Sequence, residues 1–100
     1  MNNFDLQQLA GVDLNIQYDI TLDNATPDVS TARYHLTKFG ETIVDLSLDA
    51  GLTYAAGKFT ISVDKANTVG LFGLYHHTLV FSNAAGDDVP VFIGNVRFLN

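Results

Sequence analysis

The sequence predicts an all-β fold, an immunoglobulin-like antiparallel β-sandwich of about seven short strands with at most one short helical turn. Three observations carry that prediction. Apolar and polar residues alternate in segment after segment, turn formers recur about every 8–12 residues, and no apolar stripe with a helical period is sustained. A chain of 100 residues sets the size of one small domain, expected over residues 11–100 with residues 1–10 as an N-terminal arm. A small barrel satisfies the same pattern.

The clearest alternation runs from Val12 to Leu22, where Val12, Leu14, Ile16, Tyr18, Ile20 and Leu22 share one face of a half-buried strand. Asp23-Asn24-Ala25-Thr26-Pro27-Asp28 ends it, because these residues favour turns and Pro27 has no N–H for a ladder. Ala32, Tyr34 and Leu36 begin a second strand, and Val44, Leu46 and Leu48 a third, joined through Phe39-Gly40 as a hairpin. Leu52 and Tyr54 read only as a short apolar bridge between two glycine-containing breaks. Phe59, Ile61 and Val63 form the next strand, and Asp64 to Gly70 fits one helical turn, which Asp64 is placed to cap, or a crossover loop. Leu74 to Ser82 carries apolar residues on both faces, as a central strand does. After the polar connection 83–88, Val89, Val91 and Ile93 point one way and Val96 and Phe98 the other, so a β-bulge is expected at Gly94. Phe4 to Ala10 fits a helical turn, an edge strand, or an arm that orders on a partner.

Eleven acidic against five basic residues give a formal charge of −6, which opposes phosphate neutralisation and hence nucleic-acid binding. No uninterrupted apolar run reaches membrane-spanning length, and the N-terminus has no apolar signal core, so cytosolic synthesis without membrane contact is expected. Cysteine is absent, which removes disulfides, thiolate metal sites and thiol nucleophiles.

His76 and His77 are neighbours on a strand and face opposite ways, so they cannot share one metal ion unless the chain bulges there. Asp87-Asp88, Asp23 and Asp28 lack the alternating spacing of a calcium loop and read as solvated turns. Ser30, Ser47, Ser62 and Ser82 stand in no glycine-flanked nucleophile elbow. Gly70-Leu71-Phe72-Gly73 lacks the third glycine and following Lys of a phosphate loop. Neither an enzyme nor a metal or cofactor site is therefore expected. The bases Arg33, Lys38, Lys58, Lys65 and Arg97 are scattered, with Arg33 and Arg97 available for interface pairs. Seven Phe and four Tyr exceed the needs of so small a core, and surplus apolar area marks contact surfaces. Phe4, Leu6, Phe39, Phe72 and Phe92 are the candidate interface residues.

From Ile16 onward the order of features resembles the immunoglobulin-like N-terminal domain of the baseplate upper proteins of tailed bacteriophages. The matching text is Gly57-Lys58-Phe59-Thr60-Ile61-Ser62-Val63-Asp64 before a short turn, then Gly73-Leu74-Tyr75-His76-His77-Thr78-Leu79-Val80-Phe81-Ser82-Asn83-Ala84-Ala85-Gly86-Asp87, with Gly94 inside the closing strand. In the first half Thr26-Pro27-Asp28-Val29 replaces the family's Asp-Leu-Thr-Gly. The resemblance implies a non-enzymatic virion component, a capsid decoration protein or a small tail or baseplate adaptor, docked on other virion proteins and assembled as a homo-oligomer. The alternative is a carbohydrate- or ligand-binding β-sandwich in which Tyr54, Tyr75 and Phe72 form a stacking platform.

Overall fold

The computed structural model describes residues 2–20 and 27–99. They form nine strands: β1 (Asn2–Asn3), β2 (Leu6–Leu9), β3 (Leu14–Asp19), β4 (Thr31–Lys38), β5 (Glu41–Leu48), β6 (Gly51–Ala55), β7 (Lys58–Val63), β8 (Gly73–Ser82) and β9 (Asp88–Leu99). Among the described residues the only helix is a 3-10 turn, Lys65–Asn67, whose Ala66 N–H donates to Asp64 Oδ1 at 3.0 Å. The all-β class predicted from alternation is observed. The expected pair of separate sheets with about seven strands is not: pairing follows one path, β1-β9-β8-β4-β5-β6-β7-β3, with β2 also on β9.

That path curls because each strand has one apolar face to hide. The faces of β3, β6 and β7 (Leu14, Ile16, Leu52, Phe59, Ile61, Val63) are buried in one core with those of β4, β8 and β9 (Tyr34, Leu36, Leu79, Phe92, Val96, Phe98). Ring contacts join the two groups: Phe59 lies 5.9 Å from Phe81, and Tyr18 lies 5.1 Å from Phe92. The link between the groups is the bend after β5. There Asp49 and Gly51 take φ of 67° and 90°, and the chain steps sideways to pair Ser47 with Gly51 and Leu48 with Leu52 in parallel.

The β4–β5 hairpin forms at the expected place. Its two-residue turn has φ of 53° at Phe39 and 79° at Gly40, the type I′ geometry that matches strand twist. Leu52 and Tyr54 are more than a bridge: β6 is a strand, paired with β7 through a second turn of this kind at Ala56 and Gly57.

At the N-terminus the edge-strand reading holds over the helical turn and the partner-ordered arm, and in β9 the expected bulge moves. Asn2–Asn3 and Leu6–Leu9 are edge strands running parallel to β9, with Asn2 opposite Phe92 and Leu6 opposite Val96. The N-terminal arm is thus part of the sheet. The bulge in β9 lies at Val91, not Gly94, since Leu79 faces Phe92 while Val80 faces Pro90. Val91 and Phe92 are consequently both buried and Ile93 points outward, 46% exposed. Gly94 has another role. A Cβ there would stand 2.0 Å from the Phe4 carbonyl oxygen, so only glycine admits the N-terminal strand at this distance.

Candidate functional site: a cleft at the open end of β9

β1 and β2 cover the edge of β9 from Phe92 to Leu99. The stretch up to and including the bulge, Val89, Pro90 and Val91, lies beyond that cover and lines a cleft of about 590 Å³. Pro90 has no N–H to leave unpaired, which suits an edge position. Phe81 of β8 and Tyr18 of β3 supply the aromatic wall, and Ile20 and Pro27 extend it.

Local hydrogen bonds hold this wall. Ile20 N–H donates to Gly57 O at 2.8 Å, and the Tyr54 hydroxyl donates to Pro27 O at 2.8 Å. Burial, and then the Asp28 carboxylate beside it, raise the Tyr54 phenol above its ordinary range. The segment after Pro27 rejoins the sheet where Ser30 N–H donates to Ser82 O at 2.7 Å. Asp19, Asp28 and Asn83 place polar groups on the cleft. Both aspartates are exposed. Asn83 Oδ1 accepts from Ala85 N–H and Asp87 N–H, each at 3.0 Å, which shapes the β8–β9 turn and leaves the amide nitrogen as a donor. Among the described residues the cleft is thus apolar inside, with acceptors and an amide donor at its margin. It can hold a small ligand that offers an apolar face and hydroxyls.

The sequence-predicted residues are placed differently. Phe92 is fully buried and in contact with Phe4, Tyr18 and His77; it belongs to the core and cannot form an interface. Phe4 and Leu6 are half-buried against that core. Phe39 and Phe72 are exposed, 94% and 60%, with Lys38 Nζ donating to Phe72 O at 2.9 Å. The proposed platform of Tyr54, Tyr75 and Phe72 does not assemble. Tyr54 packs on Phe59, whereas Tyr75, buried on β8, packs edge-on against Phe98 beneath Lys38.

Among the three histidines, His76 is exposed and His77 buried on the opposite face. His35 Nε2 lies 3.1 Å from Asp45 Oδ1, and Arg33 Nη2 donates to Asp45 Oδ2 at 3.2 Å. Among the described residues no group of three or more potential ligands could hold a metal ion. Asp23 lies outside the described residues, and Ser82 Oγ donates to Asp88 Oδ1 at 2.6 Å within the turn.

No protein-family model and no curated protein matches the sequence. Solved structures do. The catalytic module of the multi-modular glycogen-degrading pneumococcal virulence factor SpuA matches with TM-score 0.55 and 12% identity over 82% of this chain and 11% of that one. A protein of Bacteroides vulgatus assigned provisionally as a glycoside hydrolase matches with TM-score 0.52 and 8% identity over 94% of this chain and 16% of that one. At these identities the likeness is one of fold, and this chain spans only a small part of either protein. The expectation of a capsid or tail component of a phage is corrected by these two structures, a glycogen-degrading module and a protein assigned as a glycoside hydrolase, and the strand punctuation that suggested a virion protein is common to β-sandwiches of any function.

Proposed function

We propose that the chain is a non-catalytic carbohydrate-binding module whose ligand seats in the cleft between β3, the end of β8 and the start of β9. The observation that carries this reading is the composition of the cleft, aromatic and aliphatic walls with carboxylate acceptors and an amide donor at the margin. A sugar ring has the same duality, with C–H faces for the wall and hydroxyls for the rim. The two aspartates favour a neutral glycan over an acidic one. Their exposure argues for binding and against glycosidic cleavage, because a carboxylic acid that stays protonated near neutral pH needs apolar surroundings. The glycan-degrading proteins of similar fold support the same class of ligand.

Within this reading the curled sheet is a variant of the immunoglobulin-like sandwich whose two halves stay joined through the pairing of β5 with β6. The order β3-β7-β6 corresponds to strands B-E-D of that architecture, and β9-β8-β4-β5 to G-F-C-C′.

The test is calorimetric titration of the protein with maltoheptaose, followed by amide NMR. The expected result is saturable binding with shifts confined to Tyr18, Phe81, Asn83, Val89 and Val91, weakened about tenfold in Asp28→Asn plus Tyr18→Ala, from one lost hydrogen bond and one lost stacking contact. Absence of saturation by maltoheptaose and by β-linked glucans at millimolar concentration would remove the carbohydrate reading.

A further inference from the structure

His77 is 1% exposed, and its two ring nitrogens are committed to different elements. Nε2 lies 2.6 Å from the Phe4 carbonyl oxygen. A carbonyl can only accept, so Nε2 carries the hydrogen and donates. Nδ1 is then the acceptor for the Tyr34 hydroxyl, 3.0 Å away. The neutral ring satisfies both contacts at once. Phe4 lies over His77, with ring centroids 5.7 Å apart and planes 18° from parallel. The N-terminal strand therefore caps the imidazole.

That cap is a narrow element. It comprises β1, Phe4 and Asp5, and β2, held on β9 alone in the sheet. Phe4 N–H donates to Ile93 O at 3.0 Å, Ala10 N–H to Leu99 O at 2.8 Å, and Asn95 N–H to Asp5 Oδ1 at 2.8 Å. Immediately beyond, Gly11 with φ 78° donates its N–H to Thr68 Oγ1 at 3.1 Å, and Thr68 Oγ1 donates to Val12 O at 2.9 Å. The chain is thus anchored just past Ala10 and can hinge there.

Phe4 also touches a residue of the cleft wall. Its ring contacts Tyr18 edge-on at 5.4 Å, and Tyr18 is part of the cleft wall.

We propose that residues 2–9 are a strap that opens when His77 is protonated, and that opening weakens ligand binding by releasing Tyr18. The second half rests on the carbohydrate reading of the cleft; the first half does not. A proton on Nδ1 would confront the Tyr34 hydroxyl, which must then turn its own hydrogen away, and Tyr34 is fully buried with no other hydroxyl partner among the described residues. It would also place a cation beneath the Phe4 ring and out of reach of water. Lifting the strap hydrates the imidazolium and exposes less of the core than global unfolding does.

The titratable groups facing His77 are few. Tyr34 approaches from β4, Asp5 from the strap, and Tyr18 from β3 across the Phe4 ring; Tyr75 precedes it on the same face of β8. Of these Asp5 favours the cation. Burial outweighs it, and the Phe4 carbonyl, and holds the ring below its ordinary value of 6.5. A base that titrates lower when capped keeps the strap closed above that value and loosens it as the pH falls through it.

The test is amide hydrogen exchange of the ligand-free chain between pH 7.5 and 5.0, corrected for intrinsic rates, with the histidine ring nitrogens followed by NMR. The expected result is loss of protection at Phe4 and Ala10 while β4 amides keep theirs, with a midpoint that follows His77 and not His35 or His76. His77→Gln, which keeps a donor toward Phe4 O and does not titrate, should remove the pH dependence. Unchanged protection at Phe4 and Ala10, or loss in step with β4, would overturn the strap. Maltoheptaose affinity should fall about threefold or more over the same range, the loss of one aromatic contact. Equal affinity at both pH values refutes the coupling to the cleft, whereas failure to bind maltoheptaose and β-linked glucans at either pH is a failure of the carbohydrate reading and leaves the exchange result standing.

Discussion

Replacing Gly94 by alanine isolates the contact between the strap and β9. Glycine inside a strand is costly, so alanine there should by itself stabilise by about 0.5–1 kcal/mol. Gly94 has no positive φ to oppose it; its conformation is that of an ordinary strand residue. The obstacle is the Phe4 carbonyl, with its oxygen 2.0 Å and its carbon 2.5 Å from the new methyl group. Both are backbone atoms and cannot rotate aside. The strap must shift, and the His77 Nε2–H then loses its acceptor in a buried setting, at about 1–3 kcal/mol. Loosened contacts of Phe4 with Tyr18 and Phe92 add about 0.5–1.5 kcal/mol. The net expectation is destabilisation of about 2–3 kcal/mol, or roughly 10–20 °C in Tm for a domain of this size. Urea and thermal unfolding followed by circular dichroism measure it. A variant as stable as the parent, or more so, would refute the packing of Phe4 on Gly94 and the role assigned to it.

Other changes probe separate parts of the structure. Tyr34→Phe keeps the ring and deletes the donor to His77 Nδ1, and should cost about 1–3 kcal/mol in urea unfolding. Stability should fall as the solution is acidified below pH 6.5, the ordinary value from which His77 is lowered, and this loss should be absent in His77→Gln when both are unfolded across a pH series. Phe39→Asn places a residue suited to left-handed backbone in the β4–β5 turn, and should raise stability by about 0.5–1 kcal/mol by thermal melting. Arg33→Ala breaks an exposed ion pair and should change stability by less than about 1 kcal/mol in the same assay.

Local alternation made most of the strands legible. β3, β4, β5 and β7 follow from it because a strand with one face in a core must place apolar residues at every second position, and β8 was legible from apolar residues on both faces. The β4–β5 turn was legible in Gly40, and the 3-10 turn in Asp64. β6 was not, because a strand of five residues between two glycine breaks offers too short a pattern. The bulge escaped for a related reason: alternation shows that the phase of β9 changes between Val89 and Phe98, but only pairing with β8 shows that the extra residue is Val91.

The cleft was less legible still. Tyr18, Asp19, Asn83 and Pro90 belong to three separated segments, and none has a spacing that marks it. The platform of Tyr54, Tyr75 and Phe72 failed because residues of one chemical type need not share a surface. Phe92 illustrates the same limit, since the bulge turned inward a side chain that simple alternation from Val89 and Val91 turns outward.

The sequence by itself determined the all-β class, the acidic surface, the lack of thiol chemistry and the opposite facing of His76 and His77, because each depends on composition or on the two-residue period of a strand. Tertiary structure alone decided that Gly94 admits the Phe4 carbonyl, that His77 bridges Tyr34 and the N-terminal strand, and that the end of β9 beyond β1 and β2 meets β3 at a cleft. These contacts join residues far apart along the chain, and their geometry is set by where a curled sheet brings its strands together, which no local pattern encodes.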